Sequence, residues 1–316
     1  MFKTKYLSFL IPLALLLASC QNQQYDVNIT RDLEYATYQH QGKTKKLLLD
    51  LYLPVKETQQ PQPLLIYIHG GGWLEFSKEI CPGEIVAQQG YAIACINYRY
   101  STEAIYPAQI HDAKAAVRWL RANAAQYNLD PDKFGAWGAS AGGHLSLLLG
   151  TTGGVTQLEG NQGNLTVSSE VQAVCSWFAP TDFTQVTPAF TEPFSPEIAQ
   201  KYREVPWFQY TRVTYKLLGG TVTENLDLAT LANPINFIDS EDPPVLVVHG
   251  DLDKIVPVSQ SEILVAALEA KEVPVTFIRK SDMTHSYRGA NKEKFDPELI
   301  NLALEFFEQQ LNSESP

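Results

Sequence analysis

The chain has 316 residues, 45% of them hydrophobic, and a formal net charge of −11 from 24 Lys and Arg against 35 Asp and Glu. That length and apolar content suit one large α/β domain or two small ones. The acidic balance speaks against a nucleic-acid partner, which is gripped by basic surface, and past residue 20 no stretch is long and apolar enough to span a bilayer.

Lys3 and Lys5 precede an apolar run from Leu7 to Leu17, which ends in Leu17-Ala18-Ser19-Cys20. A charged start, a short apolar core and a small-residue pair before a cysteine read as a lipoprotein signal peptide over residues 1–19. Cys20 is then the lipidated first residue of the mature chain. The expectation is an exported bacterial lipoprotein, held to a membrane by its lipid anchor and facing the periplasm or the cell surface. Residues 20–30 are polar and unpatterned and read as a tether, which leaves 31–316 as the folded domain.

A strand near 45–53 comes first, then one near 63–69 whose continuous apolar run Leu64–Ile68 suits burial on both faces. It empties into His69-Gly70-Gly71-Gly72-Trp73. Three glycines in a row leave N–H groups free to face a developing negative charge without a Cβ in the way, so Gly71 and Gly72 are candidate oxyanion donors. A helix near 79–89 and a strand near 91–97 follow. Arg99, after that strand, is expected to be held by Asp112 in the helix near 108–127, whose apolar positions Ala113, Val117 and Leu120 fall at helical spacing.

The strand near 133–138 runs into Gly138-Ala139-Ser140-Ala141-Gly142-Gly143 and a helix over 141–151. Strand, sharp turn, helix, with glycine two residues before and two after a serine, is the geometry that lifts a hydroxyl above a sheet edge. Ser140 is the candidate nucleophile, and the N–H of Ala141 a third oxyanion donor. After a strand near 171–178, residues 182–233 lack a clean strand and are rich in aromatics, including Phe183, Trp207, Phe208 and Tyr215. They read as a small cap over the sheet's C-terminal edge, with Trp73, Trp207 and Phe208 as candidate pocket walls.

A strand near 244–249 leads into His249-Gly250-Asp251-Leu252-Asp253, a helix over 257–271, a strand near 273–279, the polar loop Ser281–Ser286 and a helix over 294–311. The partners of Ser140 must lie here, in the order acid then histidine. Of six histidines, His40 sits in a polar segment and His111 opens a helix ahead of Ser140. His69 and His249 follow strands directly, where an imidazole holds a loop, and His144 points down the helix. His285 remains as general base. Asp253 is far enough from its strand to reach an imidazole N–H and fix its tautomer. Asp251 is placed to bond loop N–H groups, and Asp182 is a weaker alternative acid. Besides Cys20 there are Cys81, Cys95 and Cys175, an odd number without zinc spacing. Sequence leaves a Cys81–Cys95 disulfide open.

Alternating strand and helix signals predict a mostly parallel central sheet covered by helices on both faces. The glycine loop His69–Trp73, the elbow Gly138–Leu145 and the run His249–Pro257 together resemble the BD-FAE (bacterial feruloyl-esterase-like) group of α/β-hydrolases. That group is related to the hormone-sensitive-lipase and kynurenine-formamidase families, and the similarity runs from about residue 45 to 310. The resemblance implies the α/β-hydrolase fold and a serine carboxylesterase with the triad Ser140, Asp253 and His285, oxyanion donors Gly71, Gly72 and Ala141, and no metal or organic cofactor. Where many relatives follow the histidine with Gly-Phe, this chain has Ser286-Tyr287. The charges among the cap aromatics favour short-chain or aromatic acyl esters, acylated carbohydrates among them, over long chains. Competing readings are an aryl formamidase or a lipase of the same superfamily, or a surface-binding lipoprotein that kept the fold without activity.

Overall fold

The computed structural model describes residues 24–57, 60–185, 206–288 and 295–312, with residues 206–211 described in backbone only. Residues 1–19, read above as a signal peptide, and Cys20 lie outside the described residues, as do the side chains of Trp207 and Phe208.

Eight strands form one sheet in the order β1-β2-β4-β3-β5-β6-β7-β8. In chain order they are β1 (Val27–His40), β2 (Lys43–Pro54), β3 (Gln62–Ile68), β4 (Ala92–Ile96), β5 (Leu129–Ala139), β6 (Ala173–Trp177), β7 (Val245–Gly250) and β8 (Val275–Lys280). From β4 to β8 all pairs are parallel, and β2 alone runs against the rest, pairing antiparallel with both β1 and β4. The helices are α1 (Gly83–Gln88), α2 (Ala108–Ala122), α3 (Ala141–Thr151), α4 (Thr156–Glu159), α5 (Pro206–Leu218), α6 (Leu226–Leu231), α7 (Ser259–Ala270) and α8 (Pro297–Leu311). No helix among the described residues is long and apolar enough to cross a membrane.

Successive strand side chains point to opposite faces, and here both faces are covered. Leu64, Ile66 and Ile68 of β3 join Phe134 and Ala136 of β5 in one core beneath α2 and α3. Leu65 and Tyr67 join Trp137 and Ala139 in the other, beneath α1 and α8. Burial on both faces is why these strands read as continuous apolar runs rather than alternating ones. Where Gly135 faces α8, a Cβ would lie 2.5 Å from Phe307 Cε1, so the glycine sets how closely that helix seats.

The strand β1 departs from the sequence reading: its start, Val27–Thr30, falls inside the stretch read as tether. Of its 14 residues only Tyr35 is fully buried, because an edge strand with one pairing partner shows most of its length to water. It therefore carries no apolar pattern. Gln41 and Gly42 join it to β2 with φ of 49° and 73°, both positive as a type I′ hairpin turn requires. The helical expectations hold, and α5 and α6 add helices within 182–233 that the sequence reading did not assign. Arg99 grips the buried Asp112 through Nε and Nη2, the latter at 2.6 Å from Oδ1.

Cys81 and Cys95 form a disulfide with Cα atoms 6.1 Å apart, clipping the loop before α1 to β4, while Cys175 is buried and free. A crosslink across a loop of about 15 residues stabilises a fold by about 3 kcal/mol in the chain-entropy account. Replacing both residues (Cys81→Ala with Cys95→Ala) is expected to lower the unfolding free energy by about that amount, read from the denaturant midpoint. An unmoved midpoint would show that the crosslink contributes nothing.

Candidate functional site

The chain order reverses beside β3, whose neighbours are β4 on one side and β5 on the other. At such a switch point the loops leaving the strand ends diverge and open a crevice. The glycine loop leaves β3 here and the serine turn leaves β5.

Ser140 has φ 56° and ψ −121°, a backbone conformation that L-residues avoid. Its N–H donates to Trp177 O at 2.8 Å, and its carbonyl accepts from His144 N at 2.9 Å. The flanking glycines are required by contact. A Cβ on Gly138 would lie 2.4 Å from the Gly142 backbone, and one on Gly142 only 1.9 Å from Ile68 O. Without side chains at both positions the start of α3 drops against the end of β3, and the hydroxyl projects into the crevice.

The loop 69–73 is tied down by its carbonyls. Tyr98 Oη donates to His69 O at 3.0 Å and Gly70 O at 3.1 Å, and its ring stacks on His69 with centroids 4.3 Å apart. His69 Nδ1 donates to Gly70 O at 2.8 Å. Gly71 O accepts from Leu74 N and Glu75 N. Gly71, Gly72 and Trp73 take consecutive positive φ of 94°, 57° and 58°. Among the described residues the N–H groups of Gly71, Gly72 and Ala141 donate to no protein acceptor, which leaves them available to an anion.

The acid and histidine loops are registered against each other. Asp251 N donates to Lys280 O at 2.9 Å and Leu252 N to Met283 O at 3.0 Å. A Cβ on Gly250 would lie 2.0 Å from Met283 O, so this glycine permits the approach. The result is a continuous chain. His285 Nδ1 donates to Asp253 Oδ2 at 2.6 Å, and Ser140 Oγ donates to His285 Nε2 at 2.9 Å. Each partner fixes which imidazole nitrogen carries the proton.

Asp253 is wholly buried. Its Oδ1 accepts from Ile255 N at 2.8 Å and Val256 N at 2.9 Å, and His249 Nε2 stands 3.3 Å from Oδ2. Burial pushes its pKa up, but the hydrogen bonds from His249, His285 and the Ile255 N–H outweigh burial and hold it well below the usual carboxylate range. The loop-bonding role expected of Asp251 thus belongs to Asp253 itself. Asp251 is exposed and pairs with Arg279. Asp182 is buried away from His285, accepting from Thr184 N at 2.8 Å and Asn233 Nδ2 at 2.9 Å.

The other histidines behave as loop holders. His249 bonds Val256 O at 3.0 Å and Ser261 Oγ at 2.7 Å. His144 donates to Ala232 O at 2.7 Å, and burial lowers its pKa to about 4, as it does for His69. One residue that sequence reasoning missed, Phe178, supports His285. Phe178, at φ 39°, sets its ring 4.7 Å from the imidazole, and Tyr287 stacks on Phe295 at 4.7 Å. The Ser286-Tyr287 departure is thereby packed into the fold. Phe178 ends an apolar strand run, so nothing in the sequence set it apart from the core.

A cleft of about 640 Å³ opens at Ser140 and His285, lined by the glycine loop, Phe76, Phe178 and residues of α5. Trp73 borders it, but its ring is buried against His144 and Phe183, with centroids 5.2 and 5.8 Å away. It is a wall braced from behind rather than an exposed stacking platform.

A mostly parallel sheet, helices on both faces and a serine turn at a strand end define an α/β-hydrolase fold. Residues 49–268 match the BD-FAE family, and the chain belongs to it. It is 29% identical over 231 residues to Esterase LipQ of Mycobacterium tuberculosis, covering 71% of this chain and 50% of that protein. Esterase LipC of the same organism is 31% identical, covering 72% of this chain and 54% of its own. The chain thus spans about half the length of the curated relatives it matches. Among solved structures, a truncated form of carbohydrate esterase from gut microbiota superposes with a TM-score of 0.76 at 31% identity, covering 92% of this chain and 98% of that one.

The two aspartates should separate by pH. Because the folded-state pKa of Asp253 is depressed, its ionised form stabilises the fold above the unfolded value near ~3.9, and that contribution is lost as the pH falls through the folded value. Asp253→Asn is expected to lower the melting temperature at pH 7, with the gap to wild type closing below about pH 4. Asp251→Asn, at an exposed pair with Arg279, should leave the melting temperature at pH 7 close to that of wild type. Thermal melts across pH check both.

Proposed function

We propose that this chain is a serine carboxylesterase working through an acyl-enzyme, with Ser140 as nucleophile, His285 as general base and Asp253 as its orienting acid. The observation that carries the reading is the unbroken hydrogen-bond path from Ser140 through His285 to a buried carboxylate. As Ser140 Oγ attacks the ester carbonyl, its proton passes to His285 Nε2. The imidazolium that forms is stabilised by Asp253. The carbonyl oxygen, now negative, is received by the N–H groups of Gly71, Gly72 and Ala141. His285 then protonates the departing alkoxide. Water, deprotonated by the same imidazole, attacks the acyl-enzyme, and collapse of the second tetrahedral adduct returns the proton to Ser140 and frees the acid.

The substrates we assign are short-chain or aromatic acyl esters, acylated carbohydrates among them. Support comes from a cleft whose described wall sets Arg212 and Lys216 among Phe76, Phe178 and Val213, charges that interrupt the apolar surface a long acyl chain needs. The likeness to a carbohydrate esterase over 98% of that protein's length points the same way. Lipidation at Cys20 would hold the enzyme to a membrane on the exported side, a compartment in which the Cys81–Cys95 disulfide persists.

A panel of p-nitrophenyl esters from acetyl to decanoyl tests the activity. Turnover is expected to peak at the short end, and Ser140→Ala should reduce kcat by about 10⁴-fold or more. Activity within tenfold of wild type in that variant, or a maximum at octanoyl and above, would overturn the assignment or its chain-length preference respectively. Location is tested separately: Cys20→Ser should move the protein out of the membrane fraction or leave residues 1–19 uncleaved. A mature N-terminus beyond residue 20 on a soluble protein would rule out the anchor.

A further inference from the structure

The cleft is charged against the grain of the molecule. The protein is acidic, at −11 overall, yet the described charged side chains lining the cleft are Arg212, Lys216, Arg288 and a single carboxylate, Glu75. Arg212 and Lys216 lie one turn apart on α5, where like charges repel and weaken the helix slightly. Among the described residues neither they nor Arg288 enters an ion pair, although other exposed basic residues such as Lys46 and Arg279 do.

All three line the cleft that holds the reacting atoms. Between Arg212 and Lys216, Val213 packs directly on the oxyanion loop, its Cγ1 2.6 Å from where a Cβ on Gly72 would stand. Arg288 arrives from the opposite loop, three residues after His285. Arg212, Lys216 and Arg288 thus line the same cleft as Ser140 and His285. Clefts lined by one sign of charge concentrate field lines and draw in ligands of the opposite sign.

We infer that the ester hydrolysed at this site has an anionic sugar as its alcohol half, with a carboxylate or sulfate held between α5 and Arg288. This rests on the esterase reading above. The charge is assigned to the alcohol because a short acyl group ends within about 5 Å of its carbonyl carbon, which leaves the sugar as the half with room to carry an anionic group. A planar carboxylate suits the two guanidinium forks of Arg212 and Arg288, and Lys216 adds a point charge.

The test uses a matched set of acetates on the same hydroxyl of methyl glucoside, methyl glucuronoside and 6-sulfated methyl glucoside. Wild type is expected to favour a charged ester over the neutral one by about tenfold or more in kcat/KM at low salt, and that preference should shrink at about 0.5 M NaCl. Whichever charged ester leads identifies the anion. In Arg212→Gln/Lys216→Gln and in Arg288→Gln the charged-to-neutral ratio should fall toward one, a ratio that a general loss of activity leaves unmoved. Equal turnover of charged and neutral esters, or a ratio unchanged in the variants, overturns the inference while leaving the esterase reading intact. No hydrolysis of any acetate would overturn that reading, and this one with it.

Discussion

The close approach of α3 to the end of β3 governs the geometry of the site. A helix starting directly off a strand can lie this near a neighbouring strand only where backbone meets backbone, and Gly138 and Gly142 supply that contact. The approach forces Ser140 into its positive-φ conformation. Strain of this kind persists because the surrounding structure overdetermines it: the Ser140 N–H is claimed by β6 through Trp177 O, and Ala139 pairs in register with Trp177. From one constraint follow the exposed hydroxyl, the free N–H of Ala141 and the alignment of both with the loop leaving β3.

Opposite that turn, the site depends on how two long loops are held without a helix or strand to stiffen them. Backbone hydrogen bonds from Asp251 and Leu252 to Lys280 and Met283 zip the two loops together at their roots. Beyond the zip, Asp253 uses one oxygen to organise its own loop and the other to hold His285. The same carboxylate therefore builds the turn and orients the imidazole. A buried charge is tolerated there because its lone pairs are answered by N–H donors, with His249 adding a further one from the preceding strand.

The described ends of the 182–233 segment are tied into the core of the sheet and α3. His144, one turn along α3 from Ser140, donates to Ala232 at the end of α6, and Phe183 packs against both His144 and Trp73. Asn233 links back to Asp182 and Phe183 at the insertion's other end. Its two ends are thus joined beside α3, and α5 sets Val213 against Gly72 of the glycine loop while Arg212 and Lys216 line the cleft.

Sequence by itself determined what local spacing and chain order can encode. Apolar runs gave the parallel strands because both sheet faces are buried, Gly138-x-Ser140-x-Gly142 marked the turn because nothing larger fits, and chain order with elimination among six histidines singled out His285. Only tertiary structure decided the rest. The start of β1 was hidden because an edge strand facing water carries no apolar pattern. The pairing of Cys81 with Cys95 depended on how α1 seats beside β4. Asp251 and Asp253 offer the same carboxylate two residues apart, and the turn between them, closed by Ile255 and Val256 N–H groups, sends one to Arg279 at the surface and the other to His285. Phe178 and the cleft cations likewise come from distant segments, and their meeting in one cleft is a property of the packed chain that no local spacing records.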